Sequence, residues 1–260
     1  WNALISGYAR MEQGREGLKC FKQMQREGLN PSLVTFICIL KSCISVGAIG
    51  RGEQIHEMIK SWSLQERDII LSNALVNMYA KCGLLPKAQD VLEELNIRDV
   101  VSWNTLIAGY AQQGQGKEAL NCLGLMQHEG ISPNKVTFTC ILKSCGHSGL
   151  LEEAQVLFEH VKRGTGISLD LQHYTCMVVV YSSLGHFDKA IVLLDKVPQS
   201  DHLSLLVAVL GACHKWMNMK LGKWVFEQLL QLDVKCASAY VFMGNIYAAG
   251  SMQTGVDSLQ

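Results

Sequence analysis

Cysteine and histidine are the side chains here best suited to hold a metal or act as a nucleophile. The chain has ten of the first and eight of the second. Their spacing assembles neither chemistry. Cys20, Cys38, Cys43, Cys82, Cys122, Cys140, Cys145, Cys176, Cys213 and Cys236 form no C-x-x-C pair, and none stands at zinc-ligand spacing from a histidine. Zinc deamination needs H-x-E followed by C-x-x-C, and neither occurs. The histidines share no catalytic spacing; His56 and His160 fit the packing or exposed face of a helix. A different set recurs in register. Trp1-Asn2 returns as Trp103-Asn104, and Asn2-Ala3-Leu4 returns as Asn73-Ala74-Leu75. One such asparagine near a helix start reads most simply as a cap; three at one register imply a shared role.

That register belongs to a long internal repeat. Ile39-Leu40-Lys41-Ser42-Cys43 recurs as Ile141-Leu142-Lys143-Ser144-Cys145, and Val34-Thr35-Phe36 as Val136-Thr137-Phe138. Within the period lie three unequal units, 33–68, 69–99 and 100–134. The cycle restarts at 135–170 and 171–202, and 1–32 is a first unit lacking its opening residues. Position 15 of each unit is Gly47, Gly83, Gly114, Gly149 or Gly185, which fits a tight turn after a helix. The first unit has Glu12 there and is expected to turn irregularly. Position 20 is always small: Gly17, Gly52, Ala88, Ala119, Ala154, Ala190 and Gly222. A small residue at one register marks a close helix approach.

After position 20 the apolar residues follow helical spacing, as in Ala88, Val91, Leu92 and Leu95, or Ala154, Leu157, Phe158 and Val161. Each unit therefore reads as helix, glycine turn, amphipathic helix. Such a hairpin buries its apolar face only by stacking on neighbours. The expected fold is all-α, a right-handed α-solenoid superhelix of helix-turn-helix repeats, with the first helices inside and the second outside. Cys38, Cys140 and Cys176 share position 6 and Cys43, Cys145 and Cys213 share position 11, so they read as small packing residues.

Composition agrees with a packed chain: 48% of residues are hydrophobic, 18% are charged, and the net charge is zero. This excludes a disordered chain and argues against non-specific coating of duplex DNA, which needs many phosphate contacts. A reader of single strands remains compatible. The longest apolar run, Leu205–Leu210, is far short of the ~18 residues of a membrane span. The chain opens on Trp1, and Gly250–Gln260 shows no helical closing pattern, so a longer parent protein is expected.

The motifs resemble the pentatricopeptide repeat family of plant organelles, in its subclass of alternating standard, long and short repeats. Val101-Ser102-Trp103-Asn104-Thr105-Leu106-Ile107-Ala108-Gly109-Tyr110 is similar to the standard unit, and Asn73-Ala74-Leu75-Val76-Asn77-Met78-Tyr79-Ala80-Lys81-Cys82-Gly83 to the short one. His173-Tyr174-Thr175-Cys176-Met177-Val178 resembles the last short repeat of an array. Leu210-Gly211-Ala212-Cys213, Leu221-Gly222, Tyr240-Val241 and Asn245-Ile246-Tyr247-Ala248 resemble the extension motifs after it, over 203–236 and, in part, 237–260. The tetratricopeptide repeat, a protein-binding relative, has a constant 34-residue period instead.

The resemblance implies single-stranded RNA binding at one base per repeat, read by position 5 and the last residue. The pairs are Asn2/Ser32, Ile37/Asp68, Asn73/Asp99, Asn104/Asn134, Thr139/Asp170 and Thr175/His202. Short polar side chains reach a base edge at low entropy cost. A terminal Asp accepts only, which suits the imino N–H of uracil or guanine; a terminal Asn donates to cytosine or adenine. With Asn at position 5 for pyrimidines and Thr for purines, the implied target is C-N-U-C-G-N, 5′ to 3′. Ile37 and His202 depart from the family pattern. Val34, Ile70, Val101 and Val136 at position 2 would flank the bases, with Gln172 the exception, and Arg10 and Lys81 are phosphate candidates. No cofactor or membrane partner is implied. The extension motifs point to a protein partner, a deaminase or editing factor, and to a factor specifying a cytidine-to-uridine editing site in a mitochondrion or chloroplast. The chain itself would not be the catalyst. The alternatives are a factor for RNA cleavage, splicing or stability, and a protein-binding scaffold.

Overall fold

The structure, a computed structural model, describes residues 1–64, 68–163, 169–198, 200, 202–233 and 236–257. Among them are fifteen helices and no strand. They are α1 (Asn2–Arg10), α2 (Gly14–Arg26), α3 (Leu33–Val46), α4 (Ile49–Ser61), α5 (Ile69–Lys81), α6 (Leu85–Glu93), α7 (Val100–Gln112), α8 (Gly116–His128), α9 (Lys135–Ser148), α10 (Leu151–Lys162), α11 (Leu171–Ser183), α12 (Phe187–Leu194), α13 (His202–Lys215), α14 (Met219–Leu232) and α15 (Ala237–Asp257). The first helices of successive hairpins start at Leu33, Ile69, Val100, Lys135 and Leu171. None of the helices is long and apolar enough to cross a membrane.

The chain forms two compact units, Trp1–Thr137 and Phe138–Gln260. In the first, α1 packs on α3, α3 on α5 and α5 on α7, while α2 and α6 pack against the first helix of the following repeat. The contact face is periodic. Counting from the residue before each first helix, places three, four, seven and eight are buried: Thr35, Phe36, Ile39 and Leu40; Leu71, Ser72, Leu75 and Val76; Ser102, Trp103, Leu106 and Ile107. Each large apolar member contributes roughly 1.5–3 kcal/mol by leaving water. The small residue at position 20 has the expected cause. A Cβ on Gly52 would lie 2.6 Å from Met78 Sδ, and one on Gly17 would lie 2.7 Å from Ser42 Oγ, both on the next repeat's first helix.

The glycine turns are left-handed, with φ from 64° at Gly47 to 85° at Gly83. The irregular turn expected at Glu12 does not occur. Glu12 adopts φ 56° and makes the same turn, and Met217 does so at φ 54°. A side chain in that conformation costs about 1–2 kcal/mol, against about 0.5–1 kcal/mol of extra chain entropy for glycine. Glu12→Gly should therefore stabilise the first unit by about 0.5–1 kcal/mol. A urea midpoint that moves down rather than up would show that this turn stores no strain.

In the second unit, α11 packs on α13, α13 on α15, and α14 on α15. Val178, Leu206, Val209, Leu210, Val225, Met243 and Ile246 form its core. Gly250–Gln260 shows no closing pattern, yet α15 continues to Asp257. Of the cysteines assigned to packing, Cys43, Cys145, Cys176 and Cys213 are buried. Cys38 and Cys140 are only half-buried, and Cys122 is a buried addition. Burial pushes the Cys43 and Cys122 thiols up to about 12 and those of Cys145, Cys176 and Cys213 up to about 11.

Candidate nucleic-acid interface

Helix starts build the site. The first helix of each repeat leaves backbone N–H groups unpaired, and the last residue of the preceding repeat caps them. Ser32 Oγ accepts from Thr35 N at 3.3 Å, and Ser32 N donates to Thr35 Oγ1 at 3.0 Å. Asp68 Oδ1 accepts from Leu71 N at 2.9 Å. Asp99 Oδ1 accepts from Ser102 N at 2.8 Å, and Asn134 Oδ1 from Thr137 N at 3.1 Å. In the second unit, Asp170 Oδ1 accepts from Gln172 N at 3.1 Å and His173 N at 3.3 Å, and lies 2.6 Å from His173 Nδ1. Capping was a sequence signal left unread: a Ser, Asp or Asn followed three places later by Thr or Ser is a reciprocal cap. It holds the terminal readers in fixed rotamers.

The position 5 side chains meet these caps. Asn2 Nδ2 donates to Ser32 Oγ at 3.0 Å, and Asn104 Nδ2 donates to Asn134 Oδ1 at 3.2 Å. The Asn73 amide approaches the Asp99 carboxylate closely enough to favour its charged form. Burial opposes charge on Asp99, but bonds from the Ser102 backbone and hydroxyl, from Asn73 and from the Val101 backbone outweigh it. They hold the carboxyl below the usual carboxylate range, so at neutral pH it accepts only. Asn73 Oδ1 is buried and has no hydrogen-bond partner among the described residues. Three of the four pairs in the first unit are thus joined; Ile37, half-buried, has no polar atom to offer Asp68.

The second unit differs. Thr139 is buried, at 5% exposure, where Asn104 at the same position is half-buried. Thr175 is half-buried. His202 holds the terminal place by packing register, since Leu205, Leu206, Val209 and Leu210 follow it as Thr35, Phe36, Ile39 and Leu40 follow Ser32. Helix α13 nevertheless begins at His202, and its Nε2 is 2.7 Å from Val197 O. The ring is tied back to its own repeat.

Around the joined pairs of the first unit, Val34, Ile70, Val101 and Val136 are all more than half exposed. Exposed branched side chains at one register in four repeats give apolar surface beside each polar pair. Gln172 is exposed too. Arg10 and Lys81 are exposed and end α1 and α5, where a cation also complements the helix dipole. The recurring tryptophan gains a reason that its motif did not reveal. Trp1 Nε1 donates to Glu27 Oε2 at 3.2 Å, and Trp103 Nε1 to Glu129 Oε2 at 3.1 Å, clamping first helix to second within the repeat. Arg98 pairs with the same Glu129. Of the two histidines placed on second helices, His56 is buried against Tyr79, with Nδ1 2.9 Å from the hydroxyl, and His160 is exposed.

Stacked two-helix repeats with capped first helices, three of them carrying a joined polar pair, define a modular α-solenoid. Models of the PPR repeat family match residues 1–45 and 98–147, and models of the PPR repeat match 70–100, 136–164 and 173–202. The chain belongs to the pentatricopeptide repeat family. A mitochondrial pentatricopeptide repeat-containing protein of Arabidopsis thaliana is 32% identical over 261 residues, covering 100% of this chain and 56% of its own length. The chloroplastic protein CRR2 of the same plant is 35% identical over 254 residues, covering 97% of this chain and 38% of its own. Relatives therefore include members in both organelles that the resemblance implied. The chain spans about a third to a half of the length of the curated relatives it matches. The crystal structure of maize PPR10 has the same fold, with a TM-score of 0.63 at 18% identity over 100% of this chain and 43% of that one. PPR10 in complex with an 18-nt psaJ RNA element matches with a TM-score of 0.62 at 16% identity, over 96% of this chain and 42% of that one.

Proposed function

We propose that this chain binds single-stranded RNA at one base per repeat, through position 5 and the terminal residue, within an organellar RNA-processing factor. The observation that carries the reading is the coupling of Asn2 to Ser32, Asn73 to Asp99 and Asn104 to Asn134. Each pair is accompanied by an exposed position 2 side chain: Val34 on the helix that Ser32 caps, and Ile70 and Val101 in the repeats of Asn73 and Asn104. Each sets polar groups of defined sense at the edge of an apolar surface, which is what reading an unstacked base requires. Ionised Asp99 offers an acceptor to the imino N–H of uracil. Asn134 keeps its Nδ2 donors for cytosine. Ser32 Oγ accepts from Thr35 N and Asn2 and also lies 3.0 Å from Thr35 Oγ1, so its proton is shared with that hydroxyl and its lean to cytosine is the weakest of the three.

Thr139/Asp170 is assigned to guanine, with Thr139 acting only if binding brings it out of its buried setting. The target remains C-N-U-C-G-N. The finer role is specification of a cytidine-to-uridine editing site, with repeat 171–202 over the fourth nucleotide 5′ of the edited base. The deaminase is supplied outside these residues, elsewhere in the full protein or in trans. Segments 203–236 and 237–260 would then recruit protein. In support, Trp216, Tyr240 and Tyr247 are each about half exposed, and aromatic residues are enriched at protein interfaces.

Selection from pools of short RNAs tests the reading. Uridine should be enriched opposite repeat 69–99, and Asn73→Thr should move that preference toward guanosine by about tenfold or more. Equal binding to scrambled RNA removes the proposal. Weaker binding of the variant with unchanged preference reduces Asn73 to a structural role.

A further inference from the structure

We infer that the residue three places after the terminal reader, Thr35, Ser102 or Thr137, is a positioning residue. It decides which polar edge each reader pair turns toward RNA. The inference rests on the RNA reading above and adds a third member to the pair. All three side chains are buried at 0% exposure, so none touches a base; each acts through its neighbours.

The argument starts from the one group whose sense is fixed. Thr137 N–H donates to Asn134 Oδ1 at 3.1 Å, which turns Asn134 Nδ2 the other way. Asn104 must then present its own Nδ2 to Asn134 Oδ1, at 3.2 Å. That leaves Asn104 Oδ1 needing a donor, and Thr137 Oγ1 lies 2.6 Å from it. The Thr137 hydroxyl already accepts from Asn134 N at 3.0 Å, so its only proton is spent on Asn104. Every polar group facing inward is satisfied, and the surplus is a donor on Asn134. The same relay runs at the first repeat. Thr35 Oγ1 donates to Asn2 Oδ1 at 2.5 Å, and Asn2 Nδ2 donates to Ser32 Oγ at 3.0 Å.

At Asn73/Asp99 the third residue sends its proton elsewhere. Ser102 Oγ donates to Asp99 Oδ1 at 2.8 Å, a charged and therefore stronger acceptor. Asn73 Oδ1 is left buried and unpartnered. A buried carbonyl oxygen without a donor is costly, and a ligand N–H removes that cost. The terminal reader Asp99 therefore offers acceptors only, the reverse of the donor left on Asn134. At Ile37/Asp68 the third residue is Leu71, which has no proton to route, and Ile37 has nowhere to receive one.

The test uses Thr137→Val, which keeps the shape and removes the hydroxyl, and Thr137→Ser, which restores it. Binding is measured to RNAs differing only in the base opposite repeat 100–134, and separately in the base opposite 69–99. The wild-type chain should prefer cytidine at the first slot and uridine at the second. Thr137→Val should cut the cytidine-over-uridine ratio about tenfold, Thr137→Ser should keep it, and the uridine preference at the other slot should not move. That second slot reports that the variant is folded. Should Thr137→Val not fold, Thr35→Val makes the same measurement at Asn2/Ser32. Weaker binding with an unchanged cytidine-over-uridine ratio would overturn the inference and leave Thr137 a cap alone. No base preference in the wild-type chain at either slot would overturn the RNA reading itself, and the inference with it.

Discussion

Asp99→Asn is expected to invert the base preference of repeat 69–99 from uridine to cytidine while leaving the fold nearly unchanged. The stability half follows from the cap. Asn and Asp are equivalent N-cap residues, and the bond from Ser102 N to Oδ1 survives the change. What is lost is a negative charge at the start of α7, worth about 0.3–1 kcal/mol. The recognition half follows from the polarity of the carboxyl. Held ionised by Ser102, Asn73 and Val101, Asp99 can pair with the imino N–H of uracil but meets the bare ring nitrogen of cytosine as a second acceptor. The substituted amide donates there instead, as Asn134 does one repeat later. Each mismatch forfeits about 1–3 kcal/mol, and the swap reverses both, so the uridine-to-cytidine ratio should change on the order of a hundredfold. Competition binding with two RNAs differing at one base measures it. A variant that still prefers uridine would mean that Asp99 caps a helix and reads nothing.

Much of this arrangement is legible in the sequence, because repetition does the work that a single segment cannot. Gly47, Gly83 and Gly114 make left-handed turns between helices, and Gly17, Gly52 and Ala88 sit buried where neighbouring helices close in. The failures share a physical cause: each depends on a distance rather than a residue type. Glu12 takes a glycine's conformation because the flanking helices impose the turn. Thr139 and Asn104 hold the same register with different burial. His202 fills a reader's place, yet Val197 O captures its ring. Trp1 with Glu27 and Trp103 with Glu129 keep one spacing in both repeats, so that clamp was readable as a recurring pair and went unread. The routing of one hydroxyl proton, by contrast, turns on whether an oxygen lies at 2.6 or 3.1 Å, which no spacing rule supplies.

Alkaline pH should unfold both units through their thiols, well before their exposed ion pairs matter. Burial holds Cys43 and Cys122 in the first unit up to about 12. It holds Cys145, Cys176 and Cys213 in the second up to about 11. An unfolded cysteine ionises near ~8.5. The native state therefore binds more protons than the unfolded state from about pH 9 upward, and its stability falls as pH rises through that window. The slope is up to about 1.4 kcal/mol per pH unit for each thiol. Halved for partial solvent access, that is about 1–2 kcal/mol per pH unit in each unit, against a typical total of 5–15 kcal/mol. Tyr79, pushed up to about 12 chiefly by burial, with Glu53, Glu57 and Glu94 adding to it, steepens the loss in the first unit. The pairs Lys60–Glu94 and Lys87–Glu53 are exposed and contribute at most ~1 kcal/mol each. Thermal unfolding between pH 8 and 11 should show a drop of about ten degrees. In the double variant Cys43→Ala, Cys122→Ala the slope for the first unit should become shallower, although cavity formation lowers its melting temperature at pH 7. A melting temperature that stays flat to pH 11 would mean that these thiols meet solvent, and the packing register that buries them would have to be redrawn.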